Sequence, residues 1–169
     1  MTVTTPLGAV IRDAEGTRLE YVRSFPDPIE RIWAAITNPD ELATWFGTWR
    51  GDPSSGWVEL SSMEGDGTFK RTQVVECDRP NRVSVVLPTP YGPWPLSIGL
   101  SESEGVTTAV FIHRLADGDD AGSLGAGWHY YLDRLASALS GDRMPEGEDW
   151  PSYEPLASSY GRPADPPSG

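Results

Sequence analysis

One cysteine, Cys77, two histidines and one lysine, Lys70, in 169 residues remove several functions at the outset. Cys77 has no partner for an internal disulfide, so the fold needs no oxidising compartment. Cysteine and histidine never fall in the local pairs (C-x-x-C, H-x-x-x-H) that structural zinc sites use, and neither a metal nor another cofactor is expected. Basic runs are missing as well. The 13 arginines and lysines are scattered through a chain of net charge −12, which opposes phosphate backbones and anionic lipid surfaces. No nucleic-acid partner is expected. No apolar run is long enough to span a bilayer, and none near Met1 resembles a secretory leader, which predicts a cytoplasmic protein without membrane insertion. There is no nucleophile elbow and no Rossmann fingerprint; Gly65-x-Gly67 is too short and too acidic in its flanks to cradle a phosphate.

What remains is a β-rich chain with one conspicuous helix. Trp128, Leu132, Leu135 and Leu139 recur at steps of four, three and four, the spacing of one helical face. That helix is expected over residues 124–140, with Gly141 as its terminator. Thr17 to Phe25 alternates as a first strand, preceded by an arm with a short strand at residues 9–12. Two helix starts follow. In Asp27-Pro28-Ile29-Glu30 an acid is expected to cap a helix with proline at its first position, burying Ile29, Ile32, Trp33 and Ile36; Asn38-Pro39-Asp40-Glu41 repeats the device. From Thr48 to Arg114 six further strands are expected, at residues 48–50, 57–62, 68–77, 82–87, 96–103 and 106–114. Four prolines place residues 88–95 in an extended loop or at a sheet edge. The reading is thus α+β, an antiparallel seven-stranded curved sheet around one long helix. It divides into an arm (1–16), a domain (17–141) and a Pro-rich acidic tail (142–169) that frays after about Arg162. Trp150, Tyr153, Leu156 and Tyr160 are expected to pack the earlier part of that tail onto the domain.

This order is the helix-grip arrangement, and local words agree with it. Phe25-Pro26-Asp27-Pro28-Ile29-Glu30-Arg31-Ile32-Trp33, then Asn38-Pro39 and Trp45-Phe46, resemble the opening of the START/Bet v 1-like (SRPBCC) superfamily. More narrowly they resemble the group of the activator of Hsp90 ATPase C-terminal domain and the polyketide-cyclase-like proteins. Gly67 to Val83, Thr107 to His113 and Gly127-Trp128 through Leu135 continue the match. The resemblance implies a cavity between sheet and helix, and a hydrogen-bonding role for His113, which matches a histidine common in the family's last strand.

The expected lining of that cavity is Trp33, Trp45, Phe46, Trp57, Phe69, Trp94, Ile98, Phe111, His113, Trp128, Tyr131, Leu132 and Leu135. Indoles offer broad apolar contact and one N–H to orient a polar ligand group. The first functional reading is therefore binding of a small hydrophobic molecule, aromatic or acyl-bearing, whose polar end meets His113 and tryptophan N–H groups. A cyclase, aromatase or dehydratase is the alternative, with His113 the best catalytic candidate. A protein-interaction module of co-chaperone type is the third reading and leaves open an unidentified protein partner. A cavity of several hundred Å³ would favour the first two; an exposed aromatic patch near Trp150 and Tyr153 would favour the third. His129 and Asp133 are expected as a solvated pair, and Cys77 as a small buried strand residue. Arg23 or Arg71, if inward, would pair a ligand carboxylate or a buried acid such as Glu76.

Overall fold

The computed structural model describes residues 7–161; the expected fraying after Arg162 lies outside the described residues. In chain order come β1 (Gly8–Asp13), β2 (Gly16–Phe25), α1 (Ile29–Thr37), α2 (Pro39–Leu42), β3 (Gly47–Arg50), β4 (Trp57–Ser62), β5 (Lys70–Asp78), β6 (Arg82–Thr89), β7 (Gly92–Ser103), β8 (Val106–Leu115), α3 (Ala121–Ser140) and α4 (Leu156–Tyr160). The strands form one antiparallel sheet in the order β1-β2-β8-β7-β6-β5-β4-β3. It curves around α3 in the helix-grip arrangement, with α1 and α2 inserted between β2 and β3. The sheet has eight strands rather than seven. The extra one is β1, longer than the short strand expected in the arm, and it pairs with β2 from Gly8↔Tyr21 to Asp13↔Gly16.

Local chemistry sets the helix ends, with one difference from expectation. Asn38 caps α2, its side-chain oxygen accepting from the amides of Asp40 and Glu41, with Pro39 in the first turn. Asp27 does not cap α1; the helix begins at Ile29 and has no side-chain cap on its own N-terminal segment. Its first amide instead donates to Glu102 of β7 at 2.8 Å, while Asp27 pairs with Arg31 one turn on. The orphan donor is thus met from the sheet rather than from the preceding residue. Helix α3 starts at Ala121, earlier than expected, because Asp120 accepts from the amides of Gly122 and Ser123. Gly141 ends it at φ 81°, a left-handed conformation that glycine adopts without strain.

Prolines 88, 93 and 95 lie inside strands, where a missing N–H normally breaks a ladder. The pairing explains the tolerance. β5 pairs with β6 only as far as Val86, and β8 pairs with β7 only as far as Leu96. Beyond those points the β6–β7 hairpin overhangs both neighbours, so each strand has a free side where the lost donor costs nothing. Trp94 stands on this overhang.

Helix α3 is buried on more than its apolar face. Trp128, Leu132 and Leu135 face the sheet as expected, but Gly125, His129, Tyr130 and Arg134 are buried too. The segment after α3 returns across its outer side and covers them. Tyr160 of α4 lies over Gly125, where a Cβ would meet its ring at 2.3 Å; Ala157 crowds Gly122 in the same way. The Tyr160 hydroxyl accepts from the amides of Leu7 and Gly8 and bonds His129 Nδ1 at 3.2 Å. Because the oxygen already accepts two N–H groups, it donates to His129, which joins the first strand, the helix and the C-terminal segment.

The close approach at Gly125 gives a paired test. Gly125→Ala is expected to destabilise by about 1–3 kcal/mol through overpacking against Tyr160. Gly127→Ala meets nothing within 4 Å and is expected to gain about 0.5–1 kcal/mol from helix propensity. Urea unfolding of the two variants beside wild type measures both.

Candidate functional site

Between the inner sheet face and the helices lies a cavity of about 150 Å³. Ile36, Leu42, Trp45 and Phe46 close it from the α1–α2 side, and Trp128 and Leu132 from α3. The sheet contributes Trp49, Val58, Leu60, Val74, Val83, Val85, Leu96, Ile98 and Phe111. The strand positions follow period-two alternation: Val58 and Leu60 on β4, Val83 and Val85 on β6, Leu96 and Ile98 on β7 point the same way. Cys77 is the only ionisable side chain on this lining. No cluster of three or more His, Cys, Asp or Glu side chains able to hold a metal ion occurs among the described residues.

The indole N–H groups of the wall are already engaged. Trp45 Nε1 donates to the Ala35 carbonyl at 2.9 Å and Trp49 Nε1 to the Thr37 carbonyl at 2.7 Å. Both acceptors belong to the last turn of α1, whose carbonyls have no intrahelical partner. Trp128 Nε1 donates to His113 Nδ1 at 3.0 Å. The three tryptophans therefore present ring carbon, not donors, to the cavity, whereas Trp45 and Trp128 were expected to offer their N–H groups to a ligand and Trp49 was not expected on the lining. Arg134 fixes this wall from behind. Though 8% exposed, it has no carboxylate partner among the described residues; its guanidinium donates to the carbonyls of Trp45 at 2.9 Å, Thr44 at 3.3 Å and Pro145. It thereby ties the turn bearing Trp45 and Phe46 to α3 and to the C-terminal segment.

His113 stands on β8 opposite Leu96, fully buried. It is not among the lining residues but stands next to them on the same sheet face, in contact with Trp94 (ring centroids 5.1 Å apart) and Trp128. Indole is a donor only, so the Trp128 bond puts the lone pair on Nδ1 and the proton on Nε2. Burial pushes the imidazole down to about 4, opposed by the Asp119 carboxylate. The ring is neutral near pH 7.

The mouth of the cavity is shaped by a bulge. On β5, Thr72 and Val74 face inward, so strict alternation would bring Glu76 in next. The register shifts between Val74 and Glu76, and Cys77 takes the inward place at the rim. Glu76 is turned out to pair with Arg82 at 3.0 Å. Cys77 is nevertheless exposed rather than buried, because that inward place is at the rim of the cavity.

Of the expected lining residues, Trp45, Phe46, Ile98, Phe111, Trp128 and Leu132 meet at the cavity. Leu135 borders a smaller void of about 10 Å³ alongside Ile98 and Phe111. Trp33 is buried in the core away from the cavity. Trp94 joins His113 behind Leu96. Tyr131 donates to Glu64 at 2.9 Å and packs edge-on to Phe46. Trp57 and Phe69 are elsewhere: with Val58 turned inward, Trp57 faces out beneath the Arg71 guanidinium (4.1 Å), and Phe69 lies under Arg50 (4.0 Å). Arg71 is thus outward. Arg23 reaches α3 and pairs with Asp133 at 2.9 Å, not with Glu76. His129 and Asp133 are not a solvated pair, for His129 is 2% exposed and Asp133 also accepts from Tyr153 at 2.7 Å. The returning C-terminal segment, remote in sequence, covers them. Alternation in β4 and β6 was the available signal for Leu60, Val83 and Val85, which the expected lining omits.

Burial also lowers His129, against Asp133 and with Arg23, so both histidines are held neutral in the folded chain. The contribution of His113 to stability is complete above the ordinary histidine value of 6.5 and is lost as pH falls toward about 4; His129 acts in the same direction. We expect His113 alone to remove about 2–3 kcal/mol over that window. Urea midpoints at graded pH measure the slope, and His113→Phe is expected to flatten it in part.

The description "Activator of Hsp90 ATPase homolog 1-like protein" matches residues 27–140. Among solved structures, CalU16 from Micromonospora echinospora superposes with TM-score 0.74 at 19% identity, covering 94% of this chain and 96% of its own. A protein from Bordetella parapertussis gives 0.68 at 22% identity, with 95% and 93% covered. DynU16, described as a putative protein in the dynemicin biosynthetic locus, gives 0.63 at 23% identity over 76% of this chain and 49% of that one. No curated protein sequence matches significantly. No helix among the described residues is long and apolar enough to cross a membrane. With its helix-grip architecture and a family match over most of its length, the chain belongs to the activator of Hsp90 ATPase homolog 1-like family, within the START/Bet v 1-like (SRPBCC) superfamily.

Proposed function

We propose that this protein binds a small hydrophobic molecule, inserting one uncharged ring or a short acyl segment between the sheet and α3. The observation that carries this reading is the lining: about 150 Å³ bounded by ring faces and aliphatic side chains, with the wall tryptophans' N–H groups already bonded. Apolar cavities of roughly that volume stay dry and take up benzene. The cavity is smaller than the several hundred Å³ expected, so it accommodates a single ring and the rest of a larger ligand extends past Cys77 at the rim.

Two alternatives have less support. A cyclase or dehydratase needs a group that moves protons against the substrate; burial holds His113 neutral with its Nδ1 lone pair taken by Trp128, and Cys77 is at the rim. An interaction module would show its aromatics, yet Trp150 and Tyr153 pack on one another and on Tyr130.

Toluene serves as the probe. It is expected to shift the methyl resonances of Val85, Leu96 and Ile98 and to raise the unfolding midpoint. Val85→Phe, which fills the hollow, is expected to weaken toluene at least about tenfold with stability within about 3 kcal/mol of wild type. Undiminished binding to that variant, or shifts confined to the surface, would sink the reading.

A further inference from the structure

Two buried donors next to the cavity have no protein acceptor. Among the described residues, Trp94 Nε1 and His113 Nε2 are the buried side-chain nitrogens left without a hydrogen-bond partner. Each such group forfeits its hydration on folding with no bond to replace it. Their coincidence is informative, because the two rings touch, with centroids 5.1 Å apart and planes at 47°. The Trp128 bond to Nδ1 fixes the proton of His113 on Nε2, so both orphans are N–H donors. Neither has acceptor capacity for the other.

Their position relates them to the hollow. Trp94 is two residues before Leu96 on β7, and His113 two after Phe111 on β8, on the same sheet face as those wall residues. Two strand residues span about 7 Å. The donors therefore stand one strand step beyond the lining residues Leu96 and Phe111, beside the indole of Trp128, which contacts both rings.

We propose that Trp94 and His113 form a two-donor site for a single uncharged oxygen acceptor, filled by a buried water or by the carbonyl oxygen of the bound ligand. An anion is disfavoured: the charged group acting on His113 is the Asp119 carboxylate, which repels one, and a neutral imidazole adds no compensating charge. One oxygen carries two lone pairs and satisfies both N–H groups at once. The ligand-borne case rests on the ring-binding reading above; the water-borne case does not.

Acetophenone and its near-isostere alpha-methylstyrene, which differ in C=O against C=CH2, separate the sources. If the ligand supplies the oxygen, acetophenone moves the Trp94 indole proton downfield and alpha-methylstyrene does not. Trp94→Phe then lowers the affinity ratio of the two probes by about tenfold, the worth of one hydrogen bond in a buried site. If water supplies it, the free protein shows a magnetisation-transfer cross-peak from the Trp94 indole proton to a long-lived water, and Trp94→Phe leaves the ratio unchanged. Absence of both the water cross-peak and the probe discrimination overturns the proposal. Failure of both probes to bind would count against the ring-binding reading alone, leaving the water cross-peak to decide the donor site.

Discussion

The buried stretch of helix α3 has nowhere to turn an unsatisfied group, and most of the structure follows from that constraint. The sheet encloses one side and the returning C-terminal segment the other, so the buried His129 and Arg134 must find their partners inside the protein. Arg134 meets this demand with carbonyls rather than an acid. A buried guanidinium without a carboxylate keeps its full charge, so the carbonyl dipoles around it must be held in place. They belong to the turn after α2 and to the chain after α3. The charge thereby fixes the segment that carries Trp45 and Phe46, and with it one wall of the hollow.

The division of labour between aromatic groups is the second theme. Tryptophans at the wall give their N–H groups to protein acceptors, two of them to the frayed carbonyl end of α1. The cavity's apolar character is thus a result of how the helix end is satisfied, and not only of residue composition. A core that needed fewer tryptophan bonds to finish α1 would leave donors facing the ligand.

Much of this was legible in the chain. The apolar spacing of Trp128, Leu132, Leu135 and Leu139 identified α3 and its sheet-facing side, because a helix imposes its period on any face it buries. Alternation and turn residues located the strands, and the words around Phe25–Trp33 and Trp45-Phe46 identified the helix grip. The misses have specific causes. His129 and Asp133 looked solvated because the residues covering them, Tyr153 and Tyr160, lie 20 to 31 positions away. Trp57 was assigned inward because alternation reveals two faces without saying which is inside. The eighth strand was expected as a short strand of the arm, but a stretch so short carried no sign that it would pair with β2 and extend the sheet. That Trp128 would bond His113, and so settle its tautomer, depends on a contact between β8 and α3 that no local pattern encodes.

The bulge in β5 shows how sharply a binding hollow can depend on strand phase. Its single additional residue decides that a thiol, rather than a carboxylate, borders the entrance. Were β5 to run through Val75 in regular alternation, Glu76 would take the inward place instead. The charge at the threshold of this scaffold is therefore set by strand phase as much as by residue identity.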